Sequence, residues 1–136
     1  MTSAERAQAV KAWAAEEGFD ACAVAAVAPI DPEDRLGRWL GAGMHGDMAW
    51  METTRHIRRD AAKKLPGART VVVVARNYNH PRPPDRPGAG RVSRYAWGRD
   101  YHNLLKKPLR RLADRIAALE PGAQCYASID TGPVME

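Results

Sequence analysis

The chain has 136 residues, of which 45% are apolar and 27% are charged, values that fit one soluble globular domain. No apolar run approaches the roughly 18 residues of a membrane span, and no secretion signal precedes the first helix, so we expect a cytoplasmic protein with no membrane partner. The formal net charge of +5 favours an anionic partner, although a solvated basic face would give the same balance.

The first predicted elements are a helix and a strand. Thr2 and Glu5 have the spacing of a capping box, and Gly18 can end the helix with a left-handed backbone. Residues 19–27 are apolar apart from Asp20, a pattern typical of a buried strand. We therefore expect the first helix to lead directly into a sheet.

Two further helices are predicted around a glycine-rich segment. Asp31 caps the first of them, with Pro32 at its first helical position, and Asp47 caps the second. Between them GAGMHG, residues 41–46, matches the G-x-G-x-x-G pattern of dinucleotide-binding proteins. That pattern requires a preceding strand, whereas a helix precedes these glycines. We reject a dinucleotide site and expect the glycines to end the helix beside a bulky neighbour.

The second half of the chain predicts two strands, a loop and a long helix. Residues 70–75 contain four consecutive valines and predict a central strand, and residues 79–90 are an exposed proline-rich loop. Asp100 caps the last helix, in which Pro108 should cause a kink or a later start. Residues 125–129 read as a third, buried strand.

The predicted order is α-β-α-α-β-loop-α-β, which indicates an α/β or α+β fold with a small sheet flanked by helices. We expect Cys22 and Cys125 to be buried thiols within strands. The four histidines lack the spacing of metal ligands, so we expect no metal site built by the protein.

Two regions carry candidate chemistry. The segment SRYAWGRDYH, residues 93–102, concentrates polar and aromatic side chains and is typical of a binding loop; alternatively, Asp100 is only a helix cap and the rings belong to the core. Asp130 follows the predicted third strand, where a desolvated carboxyl can act as an acid. The alternative is an aspartate that caps the following turn through Thr131.

Four segments together resemble the N-terminal half of the epoxyqueuosine reductase family. They are WLGAGMHGDMAWM (39–51), RRDAAKKLPGARTVVVVARNY (58–78), SRYAWGRDYH (93–102) and SIDTGPVME (128–136). The segments occur in the family's order and spacing and extend over essentially the whole chain. The third and fourth are specific when they are found together.

The resemblance implies a cobalamin-dependent enzyme that reduces epoxyqueuosine to queuosine in the anticodon of tRNA. It implies that residues 1–136 form a single N-terminal domain, similar to the nitroreductase and reductive-dehalogenase cobalamin-binding domains, that binds cobalamin and substrate. The family's C-terminal domain carries two [4Fe–4S] clusters, and this chain has no cysteine cluster to hold them. We therefore expect the chain to be a fragment that is inactive alone.

The resemblance also assigns roles to residues. Asp130 corresponds to the acid that protonates the substrate, and it faces the cofactor. Arg58 and Ser93 match positions that contact the corrinoid. The loop that forms a wall beside the substrate supplies Asp100, Tyr101 and His102.

Two other interpretations remain open. The chain could be part of a different corrinoid or flavin reductase, such as a protein similar to the reductive dehalogenases. It could also be a binding module without catalysis that retains cobalamin or docks on RNA. The sequence does not determine the oligomeric state, for which a monomer is the default expectation.

Overall fold

The structure is a computed structural model that describes residues 1–79, 81, 88 and 90–134. In this part of the chain the elements are α1 (Ser3–Glu16), β1 (Ala21–Ala26), α2 (Arg35–Gly41), α3 (Ala49–Thr53), α4 (Arg55–Arg58), a 3₁₀ turn (Ala61–Lys63), β2 (Thr70–Ala75), a second 3₁₀ turn (Arg94–Ala96) and α5 (Tyr101–Ala117). The loop predicted at residues 79–90 lies largely outside the described residues.

The two strands pair in antiparallel fashion, and both were predicted. The Asp20 N–H donates to the Ala75 carbonyl at 2.9 Å, and the Val27 N–H donates to the Arg69 carbonyl at 3.0 Å. However, neither strand is buried, and the Val73 side chain is 58% exposed. The prediction that β2 is central is wrong for the described residues, where the sheet has two strands and each is an edge. A valine run indicates strand preference, and burial depends on what packs on the sheet.

The predicted third strand is absent from the described residues. Residues 123–127 follow the last helix without regular structure, and the Tyr126 side chain is 46% exposed. Cys125 is exposed and Cys22 is half-buried, so the prediction of buried thiols is wrong for Cys125. A β-like sequence forms a strand only where a neighbouring strand supplies ladder hydrogen bonds. The fold is therefore α+β, with a small antiparallel sheet flanked by helices.

The longest two helices begin at the caps that the sequence predicts. The Thr2 hydroxyl accepts from the Glu5 N–H at 3.2 Å, and the Glu5 carboxylate accepts from the Thr2 N–H at 2.7 Å, which completes the capping box. Asp100 caps α5, and the helix begins at Tyr101 although it contains Pro108. Pro108 therefore does not move the start of α5 downstream.

Helix α2 begins later than predicted. The prediction that Asp31 is its N-cap is wrong, because the cap position is Asp34, but the Asp31 carboxylate still accepts from the N–H groups of Arg35 at 2.8 Å and Leu36 at 2.9 Å. Pro32 is not the first helical residue but lies in a turn closed by a hydrogen bond from the Asp34 N–H to the Asp31 carbonyl. The Asp31 side chain thus reaches across a turn to the helix.

The glycine-rich segment ends α2, as predicted, and α2 rather than a strand precedes it. The expected bulky neighbour is absent from the described residues, because nothing lies within 4 Å of a Cβ placed at any of the segment's glycines. Gly43 has φ of +68°, a left-handed backbone that favours glycine. The prediction that Asp47 caps α3 is wrong, because the cap position is Met48 and its side chain makes no capping hydrogen bond. Asp47 contributes its carbonyl to Ala49 instead.

The chain divides into two compact units. Unit 1 contains Met1–Ala23 and Val73–Ile129, and unit 2 contains Val24–Val72 with the described part of the segment that begins at Asp130. The assignment of residues 1–136 to one N-terminal domain stays a prediction, because compact units can belong to the same domain. None of the helices in the described residues is long and apolar enough to cross a membrane.

Unit 1 has a small apolar core between α1 and α5. Its buried members are Ala14, Phe19 and Leu112, whose exposures are 0%, 7% and 2%. Half-buried side chains pack around this cluster: Trp13, Cys22, Val74, Leu105, Leu109 and Ile116. The regular spacing of leucines along α5 predicted this face correctly.

Ion pairs line the rim of that core. Arg111 on α5 pairs with Glu17 at 2.6 Å, and Arg115 pairs with Glu16 at 2.7 Å. The Arg115 guanidinium also lies 4.7 Å from the centre of the Trp13 ring. Glu17 is largely buried in its pair whereas Glu16 is exposed, and the two pairs join the end of α1 to α5.

We predict that Leu112→Ala lowers the free energy of unfolding by about 2–5 kcal/mol, because it leaves a cavity in the core of unit 1. The matched control is Leu104→Ala on the same helix, since Leu104 is 52% exposed. It should change stability by no more than about 0.5 kcal/mol. Urea unfolding followed by circular dichroism measures both, and equal losses would contradict the assignment of Leu112 to the core.

Candidate functional site

Four rings of unit 1 contact one another in succession. Tyr78 and Tyr95 meet edge to face with centroids 6.3 Å apart, and Tyr95 and Tyr101 meet in the same way at 6.2 Å. The Tyr101 ring stacks on His102 at 4.1 Å. We call Tyr78, Tyr95, Tyr101 and His102 the aromatic row. The predicted binding loop and the first turn of α5 thus form one continuous surface feature.

His102 is held by the residue that caps its helix. The Asp100 carboxylate accepts from the His102 backbone N–H at 2.9 Å and lies 2.8 Å from His102 Nδ1. The side-chain hydrogen bond from His102, with the backbone one, holds the pKa of Asp100 below its ordinary value of 3.8. Asp100 is therefore both a helix cap and the partner of an imidazole.

The other nitrogen of the His102 ring is unusual. Nε2 is buried and has no hydrogen-bond partner among the described residues. Because Nδ1 faces a carboxylate, the neutral ring carries its proton there, and Nε2 keeps a lone pair. The Asp100 carboxylate thus fixes the orientation of the imidazole at the start of α5.

The start of the binding loop is anchored by Arg94. Its guanidinium hydrogen-bonds to the Asn79 side chain and lies 6.0 Å from the centre of the Trp97 ring. The Trp97 indole N–H donates to the Val92 carbonyl at 3.0 Å. Ser93 is exposed, and its hydroxyl makes no capping hydrogen bond to the 3₁₀ turn that follows it.

The candidate residues of unit 2 are Arg58 and Asp130. Arg58 Nε donates to the Thr54 hydroxyl at 3.0 Å, and Nη1 donates to the Val134 carbonyl at 3.2 Å. The guanidinium therefore ties α4 to the segment that follows Asp130. The expectation that Asp130 ends a strand is wrong, since residues 123–129, directly before it, do not form a strand. Asp130 is exposed and has φ of +55°. A left-handed aspartate is uncommon and often marks a turn or a functional position.

Sequence reasoning missed an ion network in unit 2. Both oxygens of Asp34 accept from Arg55 Nη2 at 2.8 Å, and Arg59 pairs with Asp34 at 3.2 Å. The hydrogen bond from Arg55 lowers the pKa of Asp34. A hollow of 520 Å³ lies beside it, lined by Pro29, Ile30, Glu52, Arg55, His56, Arg59, Asp60 and Lys63. A positive φ at Asp34 brings this carboxylate to the arginines, and no sequence pattern signals it.

The predicted site residues fall into two groups. Unit 1 brings together Asp100, Tyr101 and His102, and it also contains Ser93. Unit 2 contains Arg58 and Asp130. The sequence interpretation did not include Tyr78, although it stands at the end of the quoted segment 58–78. Within the described ranges, no three His, Cys, Asp or Glu side chains form a group that could hold a metal ion.

Comparison with known proteins gives one family. The profile described as "Epoxyqueuosine reductase QueG, DUF1730" matches residues 58–131. All six residues that the sequence interpretation assigned to the site lie within this range. The sequence match thus covers slightly more than half of the chain and includes the candidate residues of both units.

Individual relatives extend the match over nearly the whole chain. Epoxyqueuosine reductase from Gloeobacter violaceus is 46% identical over 135 residues, which cover 98% of this chain and 42% of the relative. The enzyme of the same name from Vibrio cholerae is 34% identical and covers 100% of this chain and 38% of the relative. The chain therefore spans about two fifths of the length of these relatives.

A solved structure has the same fold. The epoxyqueuosine reductase from Streptococcus thermophilus superposes with a TM-score of 0.70, covering 93% of this chain and 35% of that one. The sequence identity is 24%, so this comparison supports the fold alone. It agrees with the predicted fold class.

We predict that His102→Ala raises the pKa of Asp100 towards 3.8, because the side-chain hydrogen bond is the largest cause of its lowering. In the wild type, the ionised Asp100 stabilises the folded state because its pKa is lowered there. This contribution is complete above pH 3.8 and is lost as the pH falls through the lowered pKa. Carboxyl ¹³C NMR titration measures the shift. Asp31 is the internal control, because the largest cause of its lowered pKa is the hydrogen bond from the Leu36 N–H, which does not involve His102. An unchanged Asp100 pKa would contradict the pairing.

Proposed function

The chain belongs to the epoxyqueuosine reductase family, and we propose that it forms the part of such an enzyme that binds cobalamin and protonates the substrate. The reaction is the reduction of epoxyqueuosine to queuosine in tRNA, carried out in the cytoplasm. The observation that carries the proposal is the 46% identity over 98% of the chain. It is supported by the family match at residues 58–131, which includes every predicted site residue.

The proposed reaction determines which chemical groups the site must provide. Removing the oxygen of an epoxide to leave an alkene consumes two electrons and two protons and releases water. The electrons must come from a reducing centre, and at least one proton must reach the oxygen as its bond to carbon breaks. The residues of this chain are suited to hold and donate that proton, and to keep the substrate in place.

We assign the proton donor role to Asp130. Its carboxyl is exposed to an incoming ligand, and its left-handed backbone is fixed in a segment that Arg58 ties down through Val134. A bound corrinoid and substrate would exclude water from this carboxyl, and the proposed role requires its protonated form. In that form the carboxyl O–H donates to the epoxide oxygen.

The exposed donors of the chain fit cobalamin, whose corrin ring is large, flat and fringed with amides. In unit 2, Arg58 is half-buried and already fixed by two hydrogen bonds. In unit 1, the Ser93 hydroxyl is exposed and not used for capping. Bound cobalamin would supply the reducing chemistry at the substrate carbon. By the resemblance, Arg58 and Ser93 each match a position that contacts the corrinoid, and Asp130 matches the acid.

Tyr101 and His102, at one end of the aromatic row, are assigned to the substrate side together with Asp100. Asp100 holds His102, and Tyr101 stacks on the imidazole, so the three side chains form a fixed wall. Such a wall would exclude water from the reacting carbon and orient the modified base.

The complete reaction needs partners beyond these side chains. The tRNA phosphates match the positive charge of the chain, and such binding should weaken with salt. The [4Fe–4S] clusters of the family require about four thiolates each, and this sequence has two cysteines. We therefore propose that other sequence in the enzyme holds the clusters and delivers the electrons.

We predict that Asp130→Asn, in a complete reductase carrying this sequence, keeps cobalamin bound but lowers queuosine formation about 10²- to 10⁴-fold. The amide preserves shape and tolerates the left-handed backbone, but it cannot donate the proton. Visible absorbance measures cobalamin, and single turnover measures queuosine. The matched control is Asp47→Asn, an exposed aspartate of the same unit. Turnover near that of the wild type would refute the role of Asp130.

We predict that Arg58→Ala weakens cobalamin binding by about tenfold or more, because a charge-assisted hydrogen bond is lost. The measurement is titration of the 136-residue chain with cobalamin, followed by visible absorbance. Arg38→Ala changes an exposed arginine of the same unit and should leave the affinity unchanged. Equal affinities for wild type and Arg58→Ala would remove Arg58 from the cofactor site.

A further inference from the structure

Two tyrosines of the aromatic row are more exposed than a structural role requires. Tyr78 is 57% exposed and Tyr95 is 52% exposed, yet each makes an edge-to-face contact within the row. Single apolar side chains on a surface are ordinary, but rings that touch and remain open to solvent form a patch. A patch of this kind indicates that the rings contact something outside the chain.

The backbone around both tyrosines is held by hydrogen bonds. The Asp20 carboxylate accepts from the Asn77 N–H at 2.7 Å, and the Asn77 side chain accepts from the Asn79 N–H at 2.8 Å, so both neighbours of Tyr78 are fixed. Tyr95 lies in the 3₁₀ turn, which a bond from the Ala96 N–H to the Ser93 carbonyl closes at 3.0 Å. A ring fixed before binding loses little entropy when a flat ligand stacks on it.

The charge beside the row favours an anionic ligand. The Arg94 guanidinium contacts the Asn79 side chain, a neutral acceptor that does not cancel its charge. Asp100, the acidic residue of the segment 93–102, is already engaged by His102. Exposed rings next to an arginine that has no acidic partner among the described residues are the combination that binds unpaired nucleotides, because bases stack on rings and phosphates pair with cations.

We propose that Tyr78 and Tyr95 stack unpaired nucleobases of single-stranded RNA, with Arg94 on the adjacent phosphate. This inference rests on the proposed function only in taking RNA as the partner. It adds a contact to bases other than the one that is reduced, and it assigns that contact to two tyrosines outside the wall formed by Asp100, Tyr101 and His102. It predicts preference for unpaired RNA over duplex RNA.

The test is fluorescence anisotropy of a labelled seven-nucleotide oligouridylate at low salt, with a short RNA duplex as the comparison ligand. Tyr95→Ala should weaken binding of the single strand about 5- to 150-fold, the range for loss of one stacked base. Tyr95→Phe keeps the ring and should bind like the wild type. Duplex binding should not change in either variant.

Tyr126→Ala is the matched control, since Tyr126 is an exposed tyrosine of the same unit outside the row. It should change the affinity less than about twofold. Should Tyr95→Ala fail to fold by circular dichroism, Tyr78→Ala makes the same test at the end of the row.

Salt dependence separates the contribution of base stacking from that of the phosphate contact. Arg94→Gln should reduce the slope of log affinity against log salt by about 0.7, whereas Tyr95→Ala should leave the slope unchanged.

Three results would overturn the proposal: no binding of the oligouridylate by the wild type, equal losses for Tyr95→Ala and Tyr126→Ala, or equal losses on single-stranded and duplex RNA. The last would mean that the surface attracts phosphates without stacking bases. The oligouridylate contains no epoxyqueuosine, and the assay involves neither cobalamin nor reduction. Failure here therefore leaves the proposed roles of Asp130 and Arg58 intact, and failure of those roles leaves this result intact.

Discussion

The burial of Leu112 against Ala14 and Phe19 is the contact on which unit 1 depends. These three side chains are the buried members of its core, and the half-buried side chains of α1, α5 and both strands pack around them. Because the core is small, the position of α5 is fixed by few contacts, and the ion pairs from Arg111 and Arg115 hold its register against α1. The first turn of α5 carries Asp100 and His102, so the direction of the imidazole follows from the packing of its helix.

In both units, aspartate carboxylates organise the backbone where regular structure is short. Asp100 caps α5 and holds an imidazole, and the Asp31 carboxylate accepts from the first two N–H groups of α2. Asp34 pairs with Arg55 in α4 and with Arg59, the residue that follows α4. Each carboxylate is stabilised as the anion by its donors, which lowers its pKa. Asp130 is an exposed residue, as the proposed contact with a ligand requires.

The roles that we propose for these side chains follow from the family. A reductase that removes an epoxide oxygen in tRNA needs a proton donor, donors for a cofactor and a surface for RNA. We propose Asp130, the pair Arg58 and Ser93, and the aromatic row for these tasks. Arg58 connects two of them, because the hydrogen bond to the Val134 carbonyl orders the segment that follows Asp130. A change at Arg58 is therefore expected to affect both the cofactor and the acid.

The sequence by itself determined the features that depend on neighbouring residues. The capping box at Thr2 and the Asp100 cap need only a side-chain acceptor a few residues away. The apolar face of α5 follows from the regular spacing of its leucines, and the family motifs can be read directly from the sequence. Tertiary structure decided the rest, because it depends on distant partners. Residues 125–129 have strand-forming composition but gain no ladder partner in the described chain, and the valines of β2 stay half-exposed because little packs on them. The same holds for Tyr78, whose contact with Tyr95 joins residues that are far apart in the sequence.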